Sequence, residues 1–89
     1  MKAKQLFERM VDDNEPCCVM YTRGEVAAYS FCQAISSLAS YLTEGMQKKL
    51  LIHFHDHVKT CESCSDLLHE YEAFLSREMS EEAKKENVN

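Results

Sequence analysis

The apolar residues near the start of the chain recur with the three-to-four-residue spacing of an amphipathic helix. These residues are Leu6, Phe7, Met10 and Val11. The spacing predicts a first helix from about Ala3 to Asp12. Pro16 follows closely, and because proline lacks a backbone N–H and disfavours helix in the residue before it, the helix should end ahead of it. Residues 17–21, Cys-Cys-Val-Met-Tyr, then form a short apolar connector.

A capping signal at Thr22 indicates the start of a second helix. Glu25 stands three residues later, so the two residues can form a capping box in which each side chain accepts a hydrogen bond from the other residue's backbone N–H. We expect this helix to extend to about Tyr41. Its buried face would comprise Val26, Ser30 or Phe31, Ala34, Ile35 and Leu38, with Tyr41 and Leu42 at its end.

The second half of the chain predicts two more helices. Thr43 can cap the third, whose apolar stripe is Met46, Leu50, Leu51, Phe54 and Val58. The fourth begins at the turn that carries Cys61 and Cys64, with Thr60 as its cap. Its inward-facing residues would be Leu67, Leu68, Tyr71, Phe74, Leu75 and Met79.

These patterns predict an all-α fold, a small bundle of about four helices. The 89 residues suffice for one domain, and the presence of only two glycines and one proline fits helices joined by short turns. Residues 80–89 are polar with almost no apolar content, so we expect a disordered tail there. The predicted domain therefore covers residues 1–79, and the tail covers residues 80–89.

Composition also limits the compartment and the partners. No apolar run has the length of a signal peptide or of a membrane span, which predicts a cytoplasmic protein without membrane association. Cysteines in that compartment are reduced and serve as metal ligands or redox groups more often than as disulfides. The formal net charge of −5, without a basic stripe, argues against direct binding of nucleic acid.

The strongest chemical signal is the spacing His57-x3-Cys61-x2-Cys64. Zn²⁺ binds imidazole nitrogen and thiolate sulfur in a tetrahedron, and short Cys-x2-Cys segments commonly supply two of its four ligands. The three side chains would share one face of a continuous helix; alternatively, a turn near Thr60 would let His57 close one helix while the cysteines open the next. Because so small a core provides little net stability, a structural metal ion would contribute materially to the stability of the fold.

A closed zinc site needs a fourth ligand, and the sequence offers several. Cys32 is preferred, because a helix and its antiparallel return would bring it back beside the Cys-x2-Cys turn, although a free cysteine there is also an ordinary small core residue. His53, one helical turn before His57, is an alternative, as is the pair Cys17 and Cys18 in the connector. His55 should point away from His57, because two residues rotate a helix by about 200°.

A family resemblance emerges from these residues together with their apolar frame. The stretch Leu38-Ala-Ser-Tyr41-Leu42-Thr-Glu-Gly45, the motif His57-x3-Cys61-x2-Cys64 and the following Leu67-Leu68-x2-Tyr71 resemble the zinc-binding anti-sigma factor domain, over roughly residues 26–78. In that family a His or Cys on the preceding helix completes the site. The resemblance therefore implies Cys32, His57, Cys61 and Cys64 as the ligands of Zn²⁺, and a sigma factor of RNA polymerase as the partner.

Two functions follow as expectations. The first is a transcription regulator that sequesters a sigma factor, with redox sensing as a further hypothesis because zinc-bound thiolates are the species that oxidants attack. The second is a zinc-stabilised interaction or adaptor module for another protein or for a second copy of the chain. An enzyme is not expected, since the sequence contains no phosphate-binding glycine loop and no recognisable nucleophile–base arrangement.

Overall fold

The computed structural model describes the backbone of residues 2–87 and the side chains of residues 4–79. It confirms the all-α prediction. In chain order the elements are α1 (Lys2–Met10), α2 (Arg23–Ala34), a 3₁₀ helix (Ser36–Tyr41), α3 (Glu44–Lys48), a π-helical segment (Lys49–Phe54), α4 (His55–His57) and α5 (Glu62–Asn87). Within these residues the β pairing consists of an isolated bridge between Pro16 and Thr22. No helix described between residues 2 and 87 is long and apolar enough to span a membrane.

Helix α2 is the central element of the bundle, with contacts to α1, to the π-helical segment and to α5. The predicted capping box is confirmed: the Glu25 N–H donates to the Thr22 hydroxyl at 3.1 Å, and the Thr22 N–H donates to the Glu25 carboxylate at 2.9 Å. A continuous run of this helix is buried, from Val26 to Cys32. Helix α2 is therefore surrounded by the other elements. The capping box determines the residue at which it begins.

Helix α2 ends at Ala34, so the prediction that it extends to Tyr41 is wrong. Ile35 adopts an extended conformation with φ −133° and ψ 92°, and the 3₁₀ helix follows it. Three serines lie in this short helix, and serine side chains compete for backbone groups; the Ser40 hydroxyl donates to the Ser37 carbonyl at 2.9 Å. Tyr41, expected in the core, is exposed and carries the Lys4 ammonium 4.7 Å from its ring centre.

The third predicted helix is present, with an internal irregularity. The Thr43 cap is confirmed, because its hydroxyl accepts the Met46 N–H at 3.2 Å. From Glu44 to His57 the chain stays helical, but residues 49–54 are wound as a π-helix between α3 and α4. Leu50 and Phe54 of this segment are fully buried and belong to the core.

Helix α5 is longer than predicted. Leu67, Leu68 and Leu75 are buried and face α2, whereas Met79, expected to face inward, is 40% exposed. The helical backbone continues through Asn87, past the expected domain boundary at Met79. The side chains from Ser80 onward and all of residues 88 and 89 lie outside the described residues, so the division into domain and tail stays a prediction.

Gly24 is required by a close approach of two backbone segments. A Cβ atom at this position would lie 2.4 Å from the Val11 carbonyl oxygen and 2.6 Å from that of Asp13. We therefore expect Gly24→Ala to lower the free energy of unfolding by about 1–3 kcal/mol through overpacking. Gly45→Ala is the matched control: nothing lies within 4 Å of its added Cβ, and alanine in helix α3 should raise stability by about 0.5–1 kcal/mol. Urea denaturation of both variants measures the difference, and equal effects would contradict this packing.

Candidate metal centre

A short loop between α1 and α2, residues 16–22, forms one side of the site. It is closed by the Pro16–Thr22 bridge and by the backbone N–H groups of Cys17 and Cys18, which donate to the Tyr21 carbonyl at 2.9 and 3.2 Å. This 16–22 loop places its tip, Val19 and Met20, in solvent. The tight turn directs the Cys18 sulfur toward the helices that follow later in the chain.

Tyr21 anchors the 16–22 loop to the bundle. Its buried ring packs edge-on against Phe54 with 4.9 Å between ring centres, and it lies 4.7 Å from the His57 imidazole. The Lys49 ammonium lies over the Tyr21 ring, 5.6 Å from its centre, and Lys49 also pairs with Glu25 of the capping box. One aromatic ring therefore joins the loop to the His57 side chain.

The other side of the site is the turn between α4 and α5. His57 is the last residue of α4, Cys61 directly precedes α5, and Cys64 lies in its first turn. The Cys61 N–H donates to the His57 carbonyl at 3.1 Å, and so does the Thr60 hydroxyl. Thr60 thus bonds back to α4 and does not act as the predicted cap of α5. Of the two arrangements that the sequence left open, the structure has the turn.

Four side chains converge where the loop meets this turn. The ligand atoms of Cys18, His57, Cys61 and Cys64 all lie within 4.8 Å of one another. The Cys18 sulfur is 3.5 Å from the His57 Nε2 atom and 3.5 Å from the Cys64 sulfur, which in turn is 3.6 Å from the same nitrogen.

These distances match those between the ligand atoms of a tetrahedrally coordinated metal ion. With bonds of about 2.3 Å to sulfur and about 2.0–2.1 Å to nitrogen, neighbouring ligand atoms around zinc lie about 3.5–3.8 Å apart. The Cys18, Cys64 and His57 atoms already have that separation. Three thiols and one imidazole can therefore hold a metal ion after only small adjustments.

Cys32, the expected fourth ligand, lies outside this cluster. It is 5% exposed near the C-terminal end of α2, where burial raises the pKa of its thiol, and it belongs to the apolar core. The physical reason is the direction of α2: the helix begins beside the site at Thr22, and Cys32 stands ten residues later, about 15 Å along the axis. Cys18, one of the open alternatives, takes the place that we assigned to Cys32.

The remaining candidates also lie outside the cluster. His53 is exposed on the π-helical segment, and it is not among the four clustered residues. His55 points elsewhere, as expected, and its Nδ1 atom lies 2.9 Å from the Tyr29 hydroxyl, within hydrogen-bond distance. Cys17 lies beside the cluster and interacts with Cys64, but its sulfur is not one of the four grouped atoms.

The electrostatics of the thiols differ within the site. Burial acts to raise the pKa of Cys18, but N–H groups of Met20 and Tyr21 and contacts with Cys64 and His57 outweigh it and lower the value to about 7. The Met20 N–H donates to this sulfur at 3.4 Å. Burial and the neighbouring thiols instead raise the pKa of Cys64 far above its usual value. Cys18 is thus the thiol that ionises near neutral pH, whereas Cys64 could act as a metal ligand only after losing its proton.

This difference predicts the pH dependence of metal binding. A cysteine binds metal as the thiolate, so an ion at this site would have to displace the proton that the raised pKa of Cys64 keeps on its sulfur. Affinity should therefore rise with pH, by about tenfold per pH unit for each proton displaced, and metal should be released on acidification. Competition with a chromogenic chelator between pH 6 and pH 8 measures the slope. An affinity that stays constant over this range would contradict thiolate ligation.

Comparison with known proteins gives no further assignment. No protein-family model, no curated protein and no solved structure matches the chain. The metal-binding capacity of the site accordingly rests on the cluster of Cys18, His57, Cys61 and Cys64 itself.

Proposed function

We propose that this protein is a zinc-stabilised protein-interaction module, in which Cys18, His57, Cys61 and Cys64 bind one structural Zn²⁺. The observation that carries the proposal is the convergence of the four ligand atoms within 4.8 Å. Three sulfurs and one nitrogen form a closed set typical of structural zinc, whereas hydrolytic zinc keeps an open position for water. We therefore assign no catalytic role to the ion.

The ion would join two distant parts of the chain. Cys18 and His57 are 39 residues apart, so a metal bound to both would fix the 16–22 loop against the turn before α5. Without the ion, the loop is anchored through Tyr21 and its ring contacts. Zinc in this position would stabilise the end of the bundle at which α2, α4 and α5 meet the loop.

Native mass spectrometry tests the proposal. Protein purified from zinc-supplemented cells should carry one zinc ion per chain, and bound zinc should protect the ligand cysteines from a thiol-labelling reagent. Cys32, which is buried in the core, should become reactive only when the chain unfolds. A chain that contains no zinc, and whose Cys18 and Cys61 label at the rate of a free thiol, would refute the proposal.

Sequestration of a sigma factor is a second candidate function. It is supported by the motif His57-x3-Cys61-x2-Cys64, which carries the anti-sigma resemblance. In this structure the motif lies at a turn between two helices. The exclusion of Cys32 from the cluster departs from that pattern and weighs against it. Such a regulator would act in the cytoplasm, and release of zinc by hydrogen peroxide would reveal a redox response. Recovery of RNA polymerase sigma subunits with the tagged protein supports this candidate, and their absence favours the general module.

A further inference from the structure

An open groove lies between α2 and α5. Its volume is about 430 Å³, within the roughly 300–1,000 Å³ of typical ligand pockets. Leu68 and Leu75 are buried at its base, and the exposed Ala34 and Met79 also line it. Helix α5 contributes positions 68, 72, 75, 76 and 79 to the lining, so the groove follows one face of that helix over about three turns.

Among the described residues that line the groove, Glu72 is the one with a charged side chain. Its carboxylate is close enough to Tyr29 that, together with burial as the larger cause, its charge raises the pKa of the Tyr29 phenol. Glu72 is exposed and makes no ion pair with any side chain described between residues 4 and 79. Glu72 therefore lies, without an ion-pair partner among the described side chains, in a groove that is also lined by Ser30, Gln33 and Ser76.

The sequence of α5 on either side of Glu72 is also acidic. From Glu62 to Met79, helix α5 carries five acidic residues and a single arginine. A ligand that brings a positive charge would gain from this field, while an acidic ligand would be repelled. Charge complementarity thus restricts which apolar segments the groove can accept.

We propose that this groove binds an amphipathic helix of a partner protein, whose apolar side chains rest on Leu68 and Leu75 while a lysine or arginine beside them pairs with Glu72. This inference rests on the proposed function as an interaction module and specifies the chemistry of its partner. Helix-in-groove recognition uses apolar anchors at spacings of three, four and seven residues, which a channel formed by two helices accommodates. Met79 at the rim has the flexible side chain that adapts to varied apolar surfaces.

The probe is a pair of synthetic 14-residue helical peptides with blocked ends. Both carry leucine on one face; the first has lysine at its other positions and the second has glutamate. Each is titrated into the zinc-loaded, ¹⁵N-labelled full chain. The leucine–lysine peptide should shift the amide resonances of residues that line the groove, and the leucine–glutamate peptide should not.

Charge reversal at two positions of α5 provides the matched control. Glu72→Lys should weaken binding of the leucine–lysine peptide by about tenfold, because it places like charges together in the groove. Glu70→Lys makes the same change on the same helix, but two residues away and thus about 200° around the axis, outside the groove lining. It should change affinity only a few-fold, and both variants should keep their zinc.

Several results would contradict the inference, and they distinguish failure of the groove from failure of the metal site. Equal weakening by Glu72→Lys and Glu70→Lys, shifts located outside the groove, or equal binding of the two peptides would overturn the inference. A zinc-loaded chain that binds neither peptide would also overturn it while leaving the metal site intact. A concentration-dependent dimer that covers the groove residues would assign the groove to a second copy and overturn it as well. If the chain binds no zinc yet binds the leucine–lysine peptide in the groove, the zinc proposal fails and this inference stands.

Discussion

Removal of zinc by a chelator is expected to lower the thermal unfolding midpoint by about 12–24 °C. This range corresponds to a loss of about 3 kcal/mol in a domain of this size. The loss is large because a chain of 89 residues has a net stability of only a few kcal/mol from its core, while structural zinc in small domains contributes a substantial share of the folding free energy. It is not expected to be total, because Phe31, Leu38 and Leu50 are buried in the core and are not among the four clustered residues, although Cys64 belongs to the same core.

Circular dichroism melting curves with zinc and with EDTA measure this effect. Addition of zinc to the stripped protein should restore the midpoint, whereas magnesium should not, because magnesium prefers oxygen ligands. Coincident melting curves in zinc and in EDTA, for protein shown to have lost its metal, would mean that the four side chains do not form a structural site.

The second large effect is a difference in zinc affinity between the variants Cys18→Ser and Cys32→Ser. Cys18→Ser removes one of the four clustered ligand atoms, and we expect zinc affinity to fall by more than about 100-fold, since even loss of a residue that only supports a ligand costs about 10–100-fold. Cys32→Ser should leave zinc affinity unchanged. It should instead lower the free energy of unfolding by about 1–3 kcal/mol, because it buries a hydroxyl in an apolar part of α2.

Cys18→Ser is therefore expected to lose zinc affinity, whereas Cys32→Ser is expected to keep its zinc affinity and lose stability. Competition with a chelator measures the affinity, and urea denaturation at saturating zinc measures the stability. Cys61→Ser, at another clustered cysteine, should behave like Cys18→Ser and serves as the reference for loss of a ligand. A loss of zinc affinity in Cys32→Ser with none in Cys18→Ser would restore the ligand set expected from the family resemblance.

Much of the fold could be predicted because its signals are local. The capping box of Thr22 and Glu25 and the cap at Thr43 involve residues three positions apart, and both occur as expected. The break after Ala34 was missed because the apolar spacing continues through Leu38, which is buried in the 3₁₀ helix, and so imitates a longer helix. Periodicity alone does not register the competition of serine hydroxyls for backbone groups.

The cluster was predicted where its members are neighbours in sequence and missed where they are not. His57, Cys61 and Cys64 surround one turn, so their spacing brings them together. The fourth position depends on where a distant segment packs, and Cys18 reaches it through the bridge of the 16–22 loop and the packing of Tyr21 on Phe54. The sequence contains a signal for this loop, since Pro16 and Thr22 bracket it, but that signal does not reveal which face of the bundle the loop covers.

X-ray absorption at the zinc edge tests the central claim most directly. For the native chain we predict three sulfur ligands at about 2.3 Å and one nitrogen at about 2.0–2.1 Å. The Cys18→Ser chain, loaded at high zinc, should show two sulfurs, and the Cys32→Ser chain should keep three. A spectrum without sulfur, or one that loses a sulfur in Cys32→Ser and retains three in Cys18→Ser, would contradict the site described by Cys18, His57, Cys61 and Cys64.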